Sequence, residues 1–582
     1  MNDSIAMRNY LNWLNADLPR ETKQELRSFL TKPDEVISRF SDGLDFGTAG
    51  LRAVMELGTA RMNEYSVAEA AMAIAQCVVE EGKAEQGIVI SYDSRNNSRL
   101  YAETIARVTA EAGLRVYFSD EMRPVPMLSF AVRKYGAACG VMVTASHNPP
   151  KYNGIKVYCA DGGQVRPEAA ARIKDHMGST VHAFSMVKAS ESLVQLIYDG
   201  RVTLIGSDLD KAYEEYLLRK LEPVHSSVPV EARENVRIIY TPLNGAGAKP
   251  VRRILAKLGF KSVFVPPEQA NPDGDFPTLR VPNPEFADTF DLAIKYAKMS
   301  MADVIIATDP DSDRLGVAVP NAEGEYEVLT GNQIGILLME YLLSQRSAAD
   351  GNRYFCVNSI VSSGLAERIC MHHDVKLYRT LTGSKYVADL IERGGDTGTE
   401  TFLFGFEEGN GYMFGALGGD GGSDSIAVRD KDAVLGAAII AEMAALSKAQ
   451  RLRLFEQFQS FYNFYGYGYE KTIAVTREGL NGKTRIADYM AHFREDGPAV
   501  GDIPINKVTD YLPESNVLYY ELGNKSDWVA IRPSGTEPKL KIYVGCYGTR
   551  TAAAERCEQI AGMLEQQIRD IDIQQEPVPF YK

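Results

Sequence analysis

A serine and a histidine follow directly on an apolar run in the segment of residues 144–156. The run Gly140–Val143 is typical of a buried strand, and Ser146 and His147 come after it, ahead of two prolines and a closing Lys156. A serine exposed at the end of a strand is well placed to act as a nucleophile or to carry a phosphoryl group. It needs a base, a charge or a metal ion beside it. A lone Ser-His pair is more often a polar turn, so the rest of the chain decides its meaning.

Three aspartates at alternating positions follow a second apolar run, Val304–Ala307. They are Asp309, Asp311 and Asp313, and Arg314 comes next. Oxygen-only ligands suit Mg²⁺ or Ca²⁺, and the lack of His or Cys in the cluster argues against zinc. An EF-hand is excluded, because arginine and proline stand where that loop needs glycine and glutamate. A solvated acidic turn is the alternative, but three aligned carboxylates would repel one another without a counter-ion. The segment therefore predicts a divalent metal site, with the arginine suited to a phosphate oxygen.

A third cluster has the composition of a phosphate clamp. Residues 532–539 follow the apolar run Trp528–Ile531 and contain Arg532, Ser534, Gly535 and Thr536. A guanidinium fork, two hydroxyls and a glycine that lets the backbone approach are what a phosphate dianion requires. A Pro/Gly turn with incidental polar residues is the alternative for this cluster alone.

Three further loops carry weaker signals for a sugar phosphate. They are residues 47–52, with Arg52; residues 382–385, with Thr382, Gly383 and Lys385; and residues 405–412, with Glu408 and Asn410. Each of them alone is more often an ordinary turn. The glycine-rich residues 418–425 are expected to form a mobile loop rather than a phosphate cradle.

Strands and helices alternate along most of the chain, which predicts largely parallel sheets with helices on their faces. Three similar α/β units are expected, followed by a smaller α+β domain, and residues 450–469 are predicted to link that last domain to the rest. The predicted domains are residues 1–205, with a helical lead, 206–325, 326–460 and 461–582. In such sheets ligands lie outside the carboxyl ends of strands, where both Ser146 and the aspartates are expected.

The composition of the chain limits the partners and the cellular location that we expect for the protein. It has 582 residues, 45% of them hydrophobic and 24% charged, with a net charge of −14. This acidity argues against nucleic acid or a membrane surface as the main partner. The seven cysteines are scattered, which predicts a reducing, cytoplasmic location. The longest apolar stretch, Ala433–Leu446, is too short to span a bilayer.

The three clusters Thr-Ala-Ser-His-Asn-Pro, Asp-Pro-Asp-Ser-Asp-Arg and Arg-Pro-Ser-Gly-Thr-Glu-Pro-Lys, in this order, resemble those of the α-D-phosphohexomutase superfamily. The length, and the residues around Glu408, are most similar to its long phosphoglucomutase branch, which includes phosphopentomutases. The resemblance runs from about Gly47 to the end. It implies three related α/β domains with mixed, largely parallel sheets, plus a C-terminal α+β domain, around a central cleft.

The resemblance also implies roles for the residues. Ser146 would carry a phosphoryl group, and Mg²⁺ would be held by Ser146, Asp309, Asp311 and Asp313. A sugar 1,6-bisphosphate would form in turnover and act as activator. Binding and transfer roles fall on further positions, namely Arg52, Lys156, Arg314, Thr382, Gly383, Lys385, Glu408, Asn410, Arg532, Ser534, Gly535 and Thr536.

Some points stay open within the resemblance. Tyr412 stands where many members have histidine, which leaves the general base between Lys156 and His147. Ser384 replaces a usual aromatic residue and weakens the assignment of Lys385. The expected activity is interconversion of glucose 1-phosphate and glucose 6-phosphate. The alternatives are a phosphopentomutase, a phosphomannomutase or a non-catalytic sugar-phosphate sensor. The chain is expected to be a monomer or a weak homo-oligomer.

Overall fold

The computed structural model describes residues 2–44, 46, 50–178, 180–345, 353–417, 428–477, 481–523, 526–535 and 538–575. The chain divides into two compact units. The first comprises Met1–Val357 and Gly383–Gln457, and the second comprises Asn358–Thr382 and Phe458–Lys582. The chain therefore passes from one unit to the other three times.

Three helices precede the first strand, as the sequence predicts for the lead. They are α1 (Asn2–Asn15), α2 (Arg20–Ser28) and α3 (Pro33–Phe40). Trp13 on α1 is fully buried. Its ring lies 5.8 Å from that of Phe40 and 5.4 Å from that of Tyr65, both in edge-on contacts. Trp13, Phe40 and Tyr65 belong to the same hydrophobic core as the strands of the first sheet, so the helical lead is part of that core. Edge-on ring contacts add to the stabilisation from apolar burial.

The first α/β region contains a six-stranded sheet. Its elements are β1 (Leu51–Val54), α4 (Glu64–Glu80), β2 (Ile88–Tyr92), α5 (Ser98–Glu111), β3 (Val116–Ser119), α6 (Val125–Tyr135), β4 (Cys139–Val143), β5 (Tyr152–Cys159), α7 (Pro167–His176), α8 (Thr180–Ala189), α9 (Leu193–Tyr198) and β6 (Val202–Ile205). The spatial order is β1-β5-β4-β2-β3-β6. Strands β4, β2, β3 and β6 are parallel, and β5 is antiparallel to β1 and β4. The chain reverses between β4 and β5, and this reversal carries Ser146.

The second α/β region has a five-stranded sheet. Its elements are α10 (Ser207–Ser226), α11 (Val230–Asn235), β7 (Arg237–Thr241), α12 (Ala248–Lys257), β8 (Ser262–Phe264), α13 (Pro267–Ala270), a 3₁₀ turn (Ala287–Phe290), α14 (Asp291–Ser300), β9 (Val304–Thr308), β10 (Leu315–Pro320) and β11 (Tyr326–Val328). The spatial order is β11-β10-β9-β7-β8, with β7 parallel to β8 and β9. Because β10 returns antiparallel to β9, the aspartate cluster forms the connection of a hairpin.

The third α/β region supplies strands to the first unit and two elements to the second. Its elements are α15 (Gly331–Ser344), β12 (Tyr354–Ser359), α16 (Leu365–His372), β13 (Lys376–Thr380), α17 (Ser384–Arg393), β14 (Thr401–Glu407), β15 (Gly411–Phe414) and α18 (Ala433–Ala449). Strands β14 and β15 form a tight hairpin with Glu407 opposite Gly411. Helix α16 and strand β13 lie in the second unit.

The last region is an antiparallel sheet with helices. Its elements are α19 (Leu454–Tyr465), β16 (Tyr467–Thr476), α20 (Gly482–Glu495), β17 (Ile505–Asp510), β18 (Leu518–Leu522), β19 (Trp528–Pro533), β20 (Lys539–Gly548) and α21 (Arg550–Gln575). The spatial order is β16-β20-β19-β18-β17. The fold class predicted from the sequence, three α/β regions with mixed sheets and an α+β region, is confirmed. The bounds of the four predicted domains remain a prediction.

Residues 450–469, which the sequence predicts to link the last domain to the rest, include the boundary between the two units, at Gln457 and Phe458. They contain α19 and the start of β16. Phe458, Phe461, Tyr462 and Tyr465 are buried, and their spacing of three, four and seven residues forms one apolar helix face. No single helix among the described residues is long and apolar enough to cross a bilayer. Helices α18 and α19 pass that test only jointly, as a pair bent by 91°.

Candidate active site

Ser146 lies in the connection from β4 to β5, and its backbone is in the left-handed region. Its φ is 50°, which is uncommon for a residue with a Cβ and recurs at functional sites. The backbone N–H of Ser146 donates to Thr144 Oγ1 at 2.7 Å. The side chain is 2% exposed, so the predicted exposed serine is wrong. The reason is that Ser146 Oγ donates to Asp309 Oδ2 at 2.6 Å, which brings the serine against the aspartate hairpin.

His147 is the second neighbour of the serine hydroxyl. Its Nδ1 lies 3.1 Å from Ser146 Oγ. The same connection also holds Arg52 on β1, since Arg52 Nη1 donates to Asn148 Oδ1 at 2.8 Å. The structure therefore brings together Ser146, His147 and Arg52, although they come from two separate sequence clusters.

Arg95, which none of the sequence motifs indicated, fixes the backbone of the serine connection. Its guanidinium donates to Ser146 O at 2.5 and 3.2 Å, to Pro149 O and Tyr152 O at 3.1 Å each, and to Asn148 O. Arg95 is buried with Asp93, 3.6 Å away. An acid and an arginine just past the carboxyl end of β2 were the signal in the sequence, because ligand sites lie at such ends.

The three aspartates converge as the sequence predicts. One carboxylate oxygen of each lies within 4.8 Å of the other two, and all three residues are buried. Asp309 holds the hairpin through Oδ1, which accepts the N–H groups of Asp313 and Arg314 at 3.1 and 3.0 Å. The other oxygen of Asp309, Oδ2, accepts the hydrogen bond from the Ser146 hydroxyl.

The donor set fits a hard divalent cation. Within the described part of the chain, Oδ1 of Asp311 and Oδ1 of Asp313 are buried and accept no hydrogen bond. Buried polar atoms are nearly always satisfied, so two unpaired carboxylate oxygens on neighbouring aspartates of this cluster fit a bound cation as their partner. Burial raises the pKa of Asp309 well above its usual range, and the charges of Asp311 and Asp313 add to that effect. A cation would remove this repulsion.

Two lysines lie against the aspartates. Lys156 Nζ donates to Asp311 Oδ2 at 2.7 Å and to Asp313 Oδ2 at 2.8 Å. Lys431 Nζ lies 3.3 Å from Asp313 Oδ2 and 3.2 Å from Asp430 Oδ1. Burial opposes the charge of Asp313, but the ammonium groups outweigh it and lower the pKa of this carboxyl. Lys156 was predicted and Lys431 was missed. The signal for Lys431 was a run of four charged residues, 429–432, directly before the apolar helix α18.

The predicted sugar loop adjoins this cluster through Lys431. A Cβ at Gly411 would lie 2.2 Å from Lys431 Cδ, so glycine is required there for the lysine to pack. Arg314 Nη1 pairs with Glu285 at 3.3 Å. The same guanidinium lies beside Gly409, where an added Cβ would be 3.7 Å from Nη1.

The two loop residues that the sequence singles out differ in their surroundings. Glu408 is half-buried on the loop. Asn410 is 1% exposed and donates to Leu315 O at 3.0 Å. The Asn410 side chain therefore holds the loop to β10.

The remaining predicted loops are placed as follows. Gly383 N donates to Glu407 Oε1, and Lys385 is 5% exposed, with burial lowering its pKa. Thr382 belongs to the second unit and is half-buried. Residues 47–49, Thr536 and the glycine-rich 418–425 lie outside the described residues.

The clamp predicted around Arg532 lies in the second unit. Arg532 donates from Nε and Nη2 to the hydroxyl of buried Tyr543, at 3.3 and 3.2 Å. Ser534 N donates to Lys539 O at 2.7 Å, and Gly535 is exposed. The hydrogen bond between Ser534 and Lys539 thus closes the base of the loop, and the Tyr543 hydroxyl orients the Arg532 guanidinium.

Sequence models of four protein domains match this chain. They are phosphoglucomutase/phosphomannomutase alpha/beta/alpha domain I (residues 43–182), domain II (213–324), domain III (330–461) and the C-terminal domain (506–563). The matched residues include Ser146, the three aspartates and Arg532.

Curated relatives and solved structures agree with these matches. A phosphoglucomutase of Staphylococcus epidermidis is 34% identical over 521 residues, 86% of this chain and 90% of the relative. A phosphoglucomutase of Staphylococcus saprophyticus is 32% identical over 528 residues, 88% and 92% of the two chains. The structure of a putative phosphomannomutase from Thermus thermophilus shares the fold, with a TM-score of 0.67 at 21% identity over 91% of this chain and 99% of the other. The chain belongs to the phosphoglucomutase/phosphomannomutase family.

Proposed function

We propose that this chain is a phosphoglucomutase, which interconverts glucose 1-phosphate and glucose 6-phosphate through a phosphorylated Ser146. One observation carries the proposal. The Ser146 hydroxyl lies 2.6 Å from Asp309 within a cluster of three buried aspartates that also contacts Lys156. A binding protein does not need a serine hydroxyl in that position. The names of the staphylococcal relatives favour glucose as the sugar.

The metal in this proposal is Mg²⁺. Asp309, Asp311, Asp313 and phosphorylated Ser146 would hold it, and when bound it supplies neutralisation of the charge on the phosphoryl oxygens. The remaining requirement of phosphoryl transfer is positioning, which falls to the protein. Arg95 holds the serine connection, while Lys156 and Lys431 bring positive charge to the same point.

The proposed reaction consists of two phosphoryl transfers, each of a different phosphoryl group. In the first step, the P–O bond to Ser146 Oγ breaks and a P–O bond to a free sugar hydroxyl forms, which gives a bisphosphate. The proton of that hydroxyl goes to a general base, for which the sequence leaves Lys156 and His147 as alternatives. Because Lys156 is an ammonium that donates to Asp311 and Asp313, His147 is the better acceptor of the proton. The bisphosphate then turns, and in the second step the P–O bond between the sugar and its other phosphoryl group breaks while a P–O bond to Ser146 Oγ forms. The general base returns its proton to the sugar oxygen that is released. A free sugar 1,6-bisphosphate would act as activator by loading an unphosphorylated serine.

The second unit would hold the phosphate that is not reacting. Arg532, Ser534, Gly535 and Thr536 offer a guanidinium fork, hydroxyls and backbone N–H groups for a dianion. Arg314, Glu408, Lys385 and Thr382 are proposed as further sugar-phosphate contacts. The proposed location is the cytoplasm, and the proposed oligomeric state is a monomer or weak homo-oligomer.

Coupled assays with glucose 1-phosphate, mannose 1-phosphate and ribose 1-phosphate test the proposal, each with Mg²⁺ and a trace of the matching bisphosphate. The expected result is the largest kcat/KM for glucose 1-phosphate and its loss in Ser146→Ala. A preference for mannose 1-phosphate would make the chain a phosphomannomutase. Equal turnover by Ser146→Ala would refute the phosphoserine route altogether.

A further inference from the structure

A cavity of about 410 Å³ lies at the amino ends of β7 and β9 in the second sheet, whereas the aspartates lie at the carboxyl end of β9. Asp303 directly precedes β9 and lines the cavity, while Asp309 directly follows that strand. Five residues of strand span about 17 Å. Ligands of parallel sheets normally lie at the carboxyl ends of strands. A cavity at the amino ends of β7 and β9 is therefore separate from the candidate active site, and nothing in the proposed reaction uses it.

Charged residues dominate the polar lining of this cavity. Its four cations are Arg237, Lys298, Lys448 and Arg453, and its two anions are Asp303 and Glu325, which leaves a net charge of +2. The protein as a whole carries −14. A local excess of positive charge in a concave site attracts anions even on an acidic protein, because low-dielectric walls focus the field.

Both anions of the cavity are already paired. Lys448 Nζ lies 2.6 Å from Asp303 Oδ2, and Lys298 Nζ lies 2.5 Å from Glu325 Oε2. Asp303 Oδ2 also accepts the backbone N–H of Arg237 at 2.7 Å. The charges of the two lysines are thereby offset.

The two arginines are not offset in this way. Among the residues that the structure describes, the Arg237 guanidinium donates no hydrogen bond and forms no ion pair. Among the same residues, the Arg453 guanidinium donates only to the carbonyl oxygens of Asn321 and Ala322, while the Arg453 backbone N–H donates to Glu456 Oε2. A carbonyl accepts a hydrogen bond without neutralising a charge. Two guanidinium groups therefore line one cavity with their charges uncompensated, and this is the chemistry that recognises a phosphate dianion.

The rest of the lining is apolar. Met301 and Leu452 line the cavity with side chains that are 68% and 45% exposed, beside Pro320 and the half-buried Tyr326. Large exposed apolar side chains next to a concave site are typical of ligand pockets, whose usual volume is about 300–1,000 Å³. A ligand with a ring system would cover this surface, whereas inorganic phosphate alone would not.

We propose that this cavity is a second binding site, separate from the aspartate cluster, for an organic phosphate whose phosphate group pairs with Arg237 and Arg453 and whose ring lies on Met301, Leu452 and Tyr326. The chemical class is a phosphate monoester that carries an aromatic ring, such as a nucleoside monophosphate, because the lining beside the arginines is apolar. The proposal does not depend on the activity assigned above.

Isothermal titration of the full chain with adenosine 5′-monophosphate tests it, with adenosine and inorganic phosphate as the two half-ligands. The expected result is saturable binding at one site per chain, with the whole ligand binding at least about ten-fold more tightly than either half. The titration is repeated with Ser146→Ala and with saturating glucose 1-phosphate present. Binding should persist in both, because the site lies apart from the aspartates.

A double variant and a matched control locate the site. Arg237→Gln with Arg453→Gln should weaken binding by about a hundred-fold, since each charged hydrogen-bonding partner contributes about ten-fold. Arg99→Gln with Arg172→Gln removes the same charge from exposed positions on α5 and α7 and should leave affinity unchanged. Thermal unfolding of each variant verifies its fold. The proposal is overturned by absence of millimolar binding, by displacement with glucose 1-phosphate, or by equal loss in the two double variants.

Discussion

The replacement Arg95→Lys tests how the serine is positioned. In the wild type, one guanidinium satisfies four carbonyl oxygens of the connection that contains Ser146. Burial lowers the pKa of Arg95 to about 10, so the group is still charged at neutral pH. Lysine keeps the charge but offers one ammonium in place of a planar fork, and it can reach only one or two of these oxygens.

The expected loss follows from the contacts. A hydrogen bond to a charged group contributes about 1.5–3 kcal/mol net. Losing two of them costs about 3 kcal/mol or more of loop positioning, which corresponds to at least about a hundred-fold in rate. A misplacement of about 1 Å gives a loss of similar size. The hydrogen bonds of the Arg95 guanidinium go to backbone carbonyls of the serine connection and of Tyr152 at the start of β5, so kcat should fall while KM for glucose 1-phosphate stays within about three-fold.

Two measurements separate positioning from unfolding. The first is the kinetics of the coupled assay, and the second is the rate at which glucose 1,6-bisphosphate phosphorylates Ser146, followed by intact mass. Arg99→Lys, an exposed arginine on the next helix, is the matched control and should behave as wild type. If Arg95→Lys had wild-type kcat and wild-type loading of Ser146, the role of Arg95 as a clamp would be refuted.

Further predictions concern the carrier, the metal, the clamp and the stability of the chain. Ser146→Ala should lose activity and lack the phosphate that peptide mapping finds at Ser146 in the wild type; phosphate on another residue would count against the assignment. Asp311→Asn should weaken Mg²⁺ binding in titration calorimetry by about ten-fold or more, and unchanged affinity would remove it from the metal site. Arg532→Ala should raise KM by about ten-fold while leaving Mg²⁺ affinity alone; the reverse pattern would assign it to the metal. Burial raises the pKa of Asp432 from 3.8 to about 6, so its carboxylate destabilises the folded chain increasingly as pH rises from about 4 to 6. At pH values above 6, Asp432→Asn should therefore raise the free energy of unfolding by at most about 3 kcal/mol, and the urea midpoint should rise with it. Below pH 4 the substitution should give no gain in stability, and a pH-independent difference would contradict the pKa shift.

Local patterns predicted much of the fold. The apolar runs Gly140–Val143 and Val304–Ala307 lie within β4 and β9 and are each one residue shorter than the observed strand, because strands buried on both faces of a sheet read as continuous apolar runs. Strands β17 and β18 were missed. Residues 505–510 of β17 are mostly exposed on the edge of an antiparallel sheet, and an exposed edge strand leaves little apolar pattern to detect.

The site was predicted where chemistry is concentrated in a short segment. Ser146 and the three aspartates each stand in a short segment with several reactive side chains. In the structure a hydrogen bond from Ser146 to Asp309 joins the two segments. Arg95 and Lys431 act across 51 residues and 118 residues of sequence, through contacts to Ser146 O and Asp313. Long-range pairing of this kind depends on which strands become neighbours, and no single segment encodes it.

The second unit is assembled from two segments that the ribosome makes at different times. Asn358–Thr382 emerges first, and Gly383–Gln457, 75 residues of the other unit, is synthesised before the rest of the second unit begins at Phe458. At translation rates of about 5–20 residues per second, this delay is roughly 4–15 s. During that time Ser363, Gly364 and Arg368 cannot form their hydrogen bonds to Glu470, Tyr547 and Tyr465, which are not yet made. Nascent chains paused in this interval should therefore be the form that chaperones bind and that proteases cut within residues 358–382.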